Sequence, residues 1–371
     1  MTATAYAHLA PDEVELLRGT EALARDVLAP LADAHGGINR PLVRALAEHG
    51  LLGRVLGGAG EVPALELCLI REALARHCTE AETAFAVQGL GAHPILANGG
   101  SEAIEEWIPR LARGEAVSGF ALTEPGAGSD VAALALRAER DGDGFRLTGE
   151  KTYISNAPDA DVYSVFARTS ERGLTAFAVP RAGEGLSGEP IALLSPHPIG
   201  RLVFDGVRVP GSHVLGEVDQ GFKVAMRTLD LFRPSVGAFA VGMAQAALDA
   251  AVAHVTTRKA FGGTLSELQG VSHQLADVAT AVQAARLLVH SAASAYDRGI
   301  RPTTEAAAMA KLFATETAQR AIDVAIQVHG ARALERGHRL ELLYREVRAT
   351  RIYEGASEVQ REVIARQLFR G

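Results

Sequence analysis

The sequence predicts a multidomain α and β fold in three blocks: an N-terminal helical domain, a middle antiparallel β domain and a C-terminal helical bundle. Three observations carry this. Apolar residues recur at spacings of three, four or seven from residue 12 to about residue 113, the pattern of one helical face. Between residues 118 and 216 glycine and proline become frequent and the apolar period falls to two. From Gly221 the helical period returns and persists. The blocks divide the 371 residues as 1–115, 116–217 and 218–371, more chain than one hydrophobic core usually holds.

In the first block, Val14, Leu17, Ala24, Leu28 and Leu31, then Leu65, Leu69 and Ala73, mark helical faces. Gly57-Gly58-Ala59-Gly60 and Asn98-Gly99-Gly100 interrupt them. Ser101, followed by Glu102 and Glu105, reads as an N-cap with an acidic first turn, and Pro109 should kink or divide that helix. In the second block Leu134, Leu136 and Ala138 alternate toward Asp141-Gly142-Asp143-Gly144, and Phe145 and Leu147 resume beyond it, a hairpin signature. Residues 161–168, 174–179 and 202–209 are further strands. In the third block residues 222–231, 235–259, 265–298, 303–329 and 340 to the end read as helices, enough to pack as a bundle. Pro302-Thr303-Thr304 is a helix start and Gly330 a stop. The order excludes an alternating βαβ fold.

Composition removes several classes of function. Lys and Arg number 37 against 44 Asp and Glu, a net charge of −7, with no basic stripe to follow a nucleic-acid backbone. Cys68 and Cys78 have neither the spacing of a zinc site nor partners for a disulfide framework, and no metal set is expected; they read as buried thiols of a reducing cytoplasm. The N-terminus lacks the basic and apolar regions of a signal peptide. The longest apolar stretch, 235–255, contains Gln245, Asp249 and His254 and reads as a buried helix, not a membrane span.

Four segments carry chemistry. In 121–130, Pro125, Gly126 and Gly128 bend the chain while Thr123 and Ser129 present hydroxyls; the stretch is either a decorated turn or a cradle of backbone N–H groups for a polar ligand. A Rossmann fingerprint is excluded, because a hairpin follows the glycines where a helix is needed. Thr152-Tyr153-Ile154-Ser155-Asn156 sets a ring, a hydroxyl and an amide at a strand end. Arg258-Lys259-Ala260-Phe261-Gly262 pairs a guanidinium suited to pyrophosphate with a ring; cations at a helix C-terminus are equally what the dipole favours. Ile352-Tyr353-Glu354-Gly355-Ala356-Ser357 hinges two helices, with Ser357 and Gln360 resembling a capping box. Glu354 there is either a solvated loop carboxylate or a base at the mouth of a cleft.

Taken in order and spacing, these segments resemble the acyl-CoA dehydrogenase family of flavoproteins, most closely its medium-chain type, over nearly the whole chain. The likeness is strongest over 119–156 and 233–277, from Arg233-Pro234-Ser235-Val236 through Arg258-Lys259-Ala260-Phe261-Gly262 to Gln269, and in Ile352-Tyr353-Glu354-Gly355. It implies α,β-dehydrogenation of a saturated acyl thioester to the trans-2-enoyl product, with Glu354 removing the α-proton and N5 of FAD accepting hydride. The thioester carbonyl would be polarised by a ribityl hydroxyl of FAD and the Glu354 N–H. The helix after Ser357 should lower the Glu354 pKa, and a desolvating acyl chain should raise it, so its basicity is expected to rise when substrate binds. The resemblance assigns Phe120, Leu122, Thr123, Gly128, Ser129, Tyr153, Ile154, Ser155, Ala356 and Glu358 to FAD. From a neighbouring subunit it adds Arg258, Phe261, Gln269, Gln327, Val328, Gly330 and Ala331. Ser129, Asp230, Phe232, Arg233, Tyr353 and Gly355 fall to the substrate.

A homodimer or homotetramer is implied, with an electron-transferring flavoprotein as electron acceptor. The chain departs from the family pattern at Tyr153, where Trp is usual, at Ala356, where Thr is common, in the 329–333 run and in the loop 195–200. The resemblance places the base of some relatives on the helix near Phe232, but a phenyl ring cannot take a proton, so Glu354 is the matching candidate, and the Phe232 ring should restrict the acyl group to short or slim chains. The altered loops also fit an acyl carrier protein thioester in a biosynthetic pathway. Two other classes share the features: a flavin monooxygenase, expected to lack a residue such as Glu354, and a noncatalytic thioester-binding protein, expected to lack FAD.

Overall fold

Helices open the structure, a computed structural model that describes residues 3–33, 35–58, 62–300 and 303–369. They are α1 (Pro11–Leu23), α2 (Arg40–Glu48), α3 (Leu51–Leu56), α4 (Ala64–His77), α5 (Thr79–Asn98) and α6 (Ser101–Ala112). Asn39 starts α2 by accepting the Leu42 N–H at 3.1 Å. Gly57 caps α3 at its C-terminus, while Ala59 and Gly60 of the expected glycine break lie outside the described residues. Ser101 is not the N-cap of α6. Gly100 holds that place, and Ser101 is already the first helical residue, so its side chain makes no cap bond. Nor does Pro109 divide α6, which continues to Ala112. Pro109 removes the bond to the Glu105 carbonyl, but both residues are exposed, so water can satisfy that carbonyl.

The strands are β1 (Ser118–Ala121), β2 (Arg137–Asp141), β3 (Gly144–Ser155), β4 (Val162–Arg168), β5 (Leu174–Pro180), β6 (Leu186–Pro190), β7 (Ile199–Val209) and β8 (Val214–Leu215). They form one sheet in the order β6-β7-β3-β2-β4-β5-β8, with β1 beside β4. The expected hairpin is β2 and β3, in register from Arg137 opposite Thr148 to Asp141 opposite Gly144. Gly142, with φ 64°, supplies the left-handed residue of its turn. The sheet is mixed rather than antiparallel throughout: β1 runs parallel to β4. It enters from a helix and not from a hairpin, so no tight turn fixes its direction. The alternation that marked longer strands is missing from β6, where one buried residue precedes four exposed ones. Between Lys151 and Ile154 the β3–β7 register shifts, a bulge that leaves Tyr153 at φ 54°.

The chain continues with α7 (Gly221–Thr257), the ribbon β9 (Lys259–Ala260) and β10 (Gly263–Thr264), α8 (Gln269–Asp297) and α9 (Thr304–His329). They are followed by α10 (Arg339–Thr350) and α11 (Ser357–Leu368). Two helices were expected where α7 runs unbroken through Pro234. The Ser235 hydroxyl donates to the Phe232 carbonyl at 2.6 Å, a local side-chain bond in the turn around the proline. This helix is long and apolar enough to cross a membrane, and 72% of its apolar window is buried inside the fold. Residues 265–267 form a 3-10 turn ahead of α8. Gly330, at φ 70°, ends α9 as expected; the Pro302 start signal lies outside the described residues. Ser357 and Gln360 do not form a capping box. Ala356 is the N-cap, and the Ser357 hydroxyl donates to Glu316 Oε1 at 2.7 Å.

The elements gather into two compact units. One comprises Met1–Pro30, Pro63–Glu82 and Asp230–Gly371; the other Leu31–Val62 and Thr83–Leu229, which contains the eight-stranded sheet. In the first unit α4 buries Leu69 and Ala73 against Leu17 of α1. The same helix carries the buried charges Arg71 and Glu72.

Candidate active site

Glu354 sits in the short connection between α10 and α11. Its backbone is left-handed at φ 50°, and Gly355 follows at φ 92°, so two successive residues turn the chain sharply. Three side chains hold their carbonyls. Arg233 Nε donates to the Glu354 oxygen at 3.4 Å, Lys311 Nζ to that of Gly355 at 2.7 Å, and Gln360 Nε2 to both, at 3.3 and 3.0 Å. Arg233 also pairs with Asp230 at 2.9 Å. The expected base Glu354 and the expected substrate residues Asp230, Arg233 and Gly355 are thereby joined by hydrogen bonds. Phe232, on the same turn of α7, is 1% exposed.

The Glu354 residue is half-buried, yet its Oε2 is sealed from solvent and has no hydrogen-bond partner among the described residues. Burial raises its pKa above the ordinary value, with Arg71, Arg233 and Lys311 pulling in the opposite direction. The expectation was a carboxyl lowered by the following helix and raised by substrate. Instead desolvation prevails in the protein alone, because Glu354 stands three residues before α11 and packs into the fold. Tyr353 is likewise raised, first by burial and then by Glu82.

In the sheet unit, Glu124 and Ala127 exchange backbone hydrogen bonds of 3.0 and 3.1 Å across Pro125-Gly126. The Glu124 carboxylate turns inward to accept from Ala135 N at 2.6 Å, Leu136 N at 3.0 Å and Lys151 Nζ at 2.8 Å. Lys151 also donates to the Leu122 carbonyl, so a buried ion pair fixes the stretch that carries Leu122 and Thr123. The Thr152 N–H donates to the Thr123 carbonyl at 3.0 Å, which ties this stretch to the bulge of Tyr153. Tyr153 is 59% exposed, Ile154 is buried beside it, and the Ser155 hydroxyl pairs with His197 Nε2 at 2.8 Å. Burial lowers the His197 pKa to about 4, so the imidazole is neutral at pH 7. Phe120 packs against Phe166, while Gly128 and Ser129 stand exposed.

A third group lines a cleft of about 570 Å³: His254, Thr257, Arg258, His329, Gly330, Ala331 and Arg332. His254 and His329 stack at 4.2 Å, and His338 meets His329 edge-on. No carboxylate lies within ion-pair distance of Arg258 or Arg332 among the described residues, and a Cβ added to Gly330 would meet open space. Such a cleft has the chemistry to hold a diphosphate. The other residues expected to serve the cofactor are not part of the cleft lining. Phe261 is 93% exposed at the tip of the β9–β10 ribbon, Gln269 begins α8, Gln327 and Val328 lie in the last turn of α9, and Ala356 and Glu358 open α11.

Arg71, Lys311, Lys151 and His197 are not marked as site residues in the sequence, and Gln360 is marked there only as a cap. A signal existed for two of them: Arg71 follows Leu69-Ile70, and Lys311 stands between Ala310 and Leu312, each a cation within an apolar helical run.

The comparisons agree along the chain. Residues 10–115 match the model of the acyl-CoA dehydrogenase N-terminal domain, 119–207 that of the middle domain and 219–369 that of the C-terminal domain. Cyclohexane-1-carbonyl-CoA dehydrogenase of Geobacter metallireducens is 36% identical over 97% of this chain and 98% of that protein. The structure of butyryl-CoA dehydrogenase from Megasphaera elsdenii is 32% identical with a TM-score of 0.91, covering 97% of this chain and 99% of that one. A glutaryl-CoA dehydrogenase from Mycobacterium smegmatis in complex with FADH2 is 27% identical with a TM-score of 0.91, covering 98% and 96%. Fold, sequence and family models concur: the chain belongs to the acyl-CoA dehydrogenase family, FAD-dependent oxidoreductases acting on CH–CH groups.

Proposed function

We propose that this enzyme oxidises a saturated acyl-CoA at its α,β bond and that Glu354 is the base. One observation carries the proposal: a buried carboxylate oxygen without a partner, on a turn whose carbonyls are held by Arg233, Lys311 and Gln360. A base must be free to receive its proton and basic enough to keep it. Glu354 meets both needs, because burial raises its pKa and no hydrogen bond occupies Oε2. Its own N–H makes no hydrogen bond among the described residues and is available to a thioester carbonyl, where it would stabilise the developing enolate. Buried Phe232 supports a short or slim acyl group.

FAD, when bound, supplies the acceptor for the hydride leaving the β-carbon. The residues present fit it. Arg258 and Arg332 bring unpaired positive charge to the cleft, and Gly330 leaves room there for a diphosphate. The fixed stretch of Leu122 and Thr123, exposed Ser129, and the bulge residues Tyr153 and Ser155 would hold the ring; that cleft on a neighbouring copy, with the Phe261, Gln269, Gln327 and Val328 of the same copy, would serve the nucleotide side. A homodimer or homotetramer, an electron-transferring flavoprotein as acceptor and a cytoplasmic setting belong to the same proposal. Both cysteines are free and buried, consistent with the last of these.

The test is anaerobic mixing of the FAD-loaded protein with a panel of acyl-CoA and acyl carrier protein thioesters, following loss of flavin absorbance. One thioester should bleach the flavin rapidly, and Glu354→Gln should abolish the bleaching. Bleaching at an unchanged rate in Glu354→Gln would remove Glu354 from the role.

A further inference from the structure

Three cations act on Glu354, and they differ in what else they hold. Arg71, from α4, is bonded to Glu82 at 2.5 Å and to the Ser235 hydroxyl at 2.6 Å. Arg233, from α7, is paired with Asp230. Each of these has a carboxylate of its own. Lys311, from α9, is fully buried, has no carboxylate within ion-pair distance among the described residues, and makes one hydrogen bond, to the Gly355 carbonyl. An ammonium has three donors, so the remaining two lack acceptors. Glu316, the nearest acidic side chain of α9, is engaged by Ser357 and Arg351, and Glu358 is largely exposed. Two incompletely satisfied groups of opposite charge therefore share one buried region: the Lys311 ammonium and the Glu354 carboxylate.

We propose that Lys311 is a positioning residue for the reaction, clamping the Glu354–Gly355 turn through the Gly355 carbonyl and serving as the counter-charge of the Glu354 carboxylate without touching it. The inference rests on Glu354 being the base. The missing contact matters. A direct ammonium–carboxylate hydrogen bond would occupy the oxygen that must take the proton and make it a weaker base. A charge held a short distance away through low-dielectric protein favours the ionised form between turnovers yet leaves Oε2 open. The two effects on Lys311 itself agree with this placement: burial brings its pKa down to about 8, and Glu354 is the strongest influence in the opposite direction.

The experiment compares Lys311→Met, Lys311→Gln and Lys311→Arg in the FAD-loaded protein. Two readouts are followed from pH 5 to 9: the rate of flavin bleaching by the best thioester, and the infrared carboxyl band that disappears in Glu354→Gln. Losing a nearby charge should move the Glu354 titration up by about 1 to 3 on the pH scale, and the rate at pH 7 should fall about tenfold or more. Lys311→Arg should stay near the native titration. Lys311→Gln can keep a hydrogen bond to Gly355 and loses only the charge, so it decides the matter if Lys311→Met does not fold. An unmoved titration in Lys311→Gln overturns the inference. If Glu354→Gln itself bleaches normally, the assignment of the base has failed instead, and the infrared titration still reports whether Lys311 acts on Glu354.

Discussion

Replacing Glu72 with Gln should destabilise the unit that holds helices α8–α11 by about 3 to 5 kcal/mol, the cost of breaking a buried pair. Glu72 and Arg286 are 3% and 1% exposed and meet at 2.7 Å. His290 Nε2 lies 3.2 Å from the second carboxylate oxygen, and the Tyr6 hydroxyl donates to the first at 3.1 Å. Burial alone would push the Glu72 pKa up, but Arg286 and His290 together outweigh it and bring it from 4.5 to about 2. At about 1.4 kcal/mol per pH step, that difference is worth about 3 kcal/mol. The sign follows from the depressed carboxyl: the contribution is complete above pH 4.5 and is lost as pH falls toward 2.

Glu72→Gln preserves the volume and leaves the Arg286 guanidinium buried beside a neutral amide. Changing both residues to Met removes both desolvation penalties, and such replacements are neutral or stabilising by about 1 to 4 kcal/mol. The assay is native-state hydrogen exchange of the α4 and α8 amides at pH 7, with guanidinium midpoints measured from pH 7 to 2.5. Glu72→Gln should lose protection and most of the acid sensitivity of the wild type, and the double variant should regain the protection. A single variant within about 1 kcal/mol of wild type, or a double variant as weak as the single, would refute the reasoning.

Phe232→Ala should extend activity to longer acyl thioesters in the bleaching assay at a cost of about 3 to 5 kcal/mol in stability, because a ring 1% exposed is removed; an unchanged chain-length preference would count against a pocket bounded by Phe232. Arg258→Ala and Arg332→Ala should each weaken FAD retention by about tenfold to a hundredfold, the value of a charged hydrogen bond, measured by the fluorescence of released flavin at low salt. Retention unchanged from the wild type in both variants would separate the cleft from the cofactor.

The fold was legible wherever one period ran long enough. The β2–β3 hairpin, β4, β5, β7 and the long C-terminal helices follow directly from alternation or helical spacing. Misreadings cluster at prolines and caps. Pro109 and Pro234 sit inside continuous helices because packing along the rest of each helix outweighs one lost hydrogen bond. Ser101 and Ser357 have the chemistry of caps, but the residue before each, Gly100 and Ala356, holds the boundary. Parallel β1 was invisible, since strand direction depends on a partner 44 residues away and not on its own four residues. The polar groups around Glu354 were hidden for the same reason: Arg71, Arg233 and Lys311 come from three separate helices, and only their convergence gives them meaning.

The clearest link between local structure and chemistry lies where local preference is violated. Among the described residues, five that are not glycine adopt positive φ: Tyr153, Asn156, Asp219, Phe261 and Glu354. A left-handed conformation costs a residue with a side chain about 1 to 2 kcal/mol, and nothing in a bulky tyrosine or phenylalanine lessens that cost as a short amide does in Asn156. Tyr153, Phe261 and Glu354 also fall in the segments that carry chemistry, at a strand bulge, a ribbon tip and a helix connection respectively. The bonds from Arg233, Lys311 and Gln360 to the Glu354 and Gly355 carbonyls show how one such cost is offset, by donors that an ordinary loop would not need. Substituting Gly for Glu354 would relieve the backbone and remove the carboxylate together, so stability and chemistry should move in opposite directions at that position. That opposition is expected where a conformation is kept for its side chain and not for the fold.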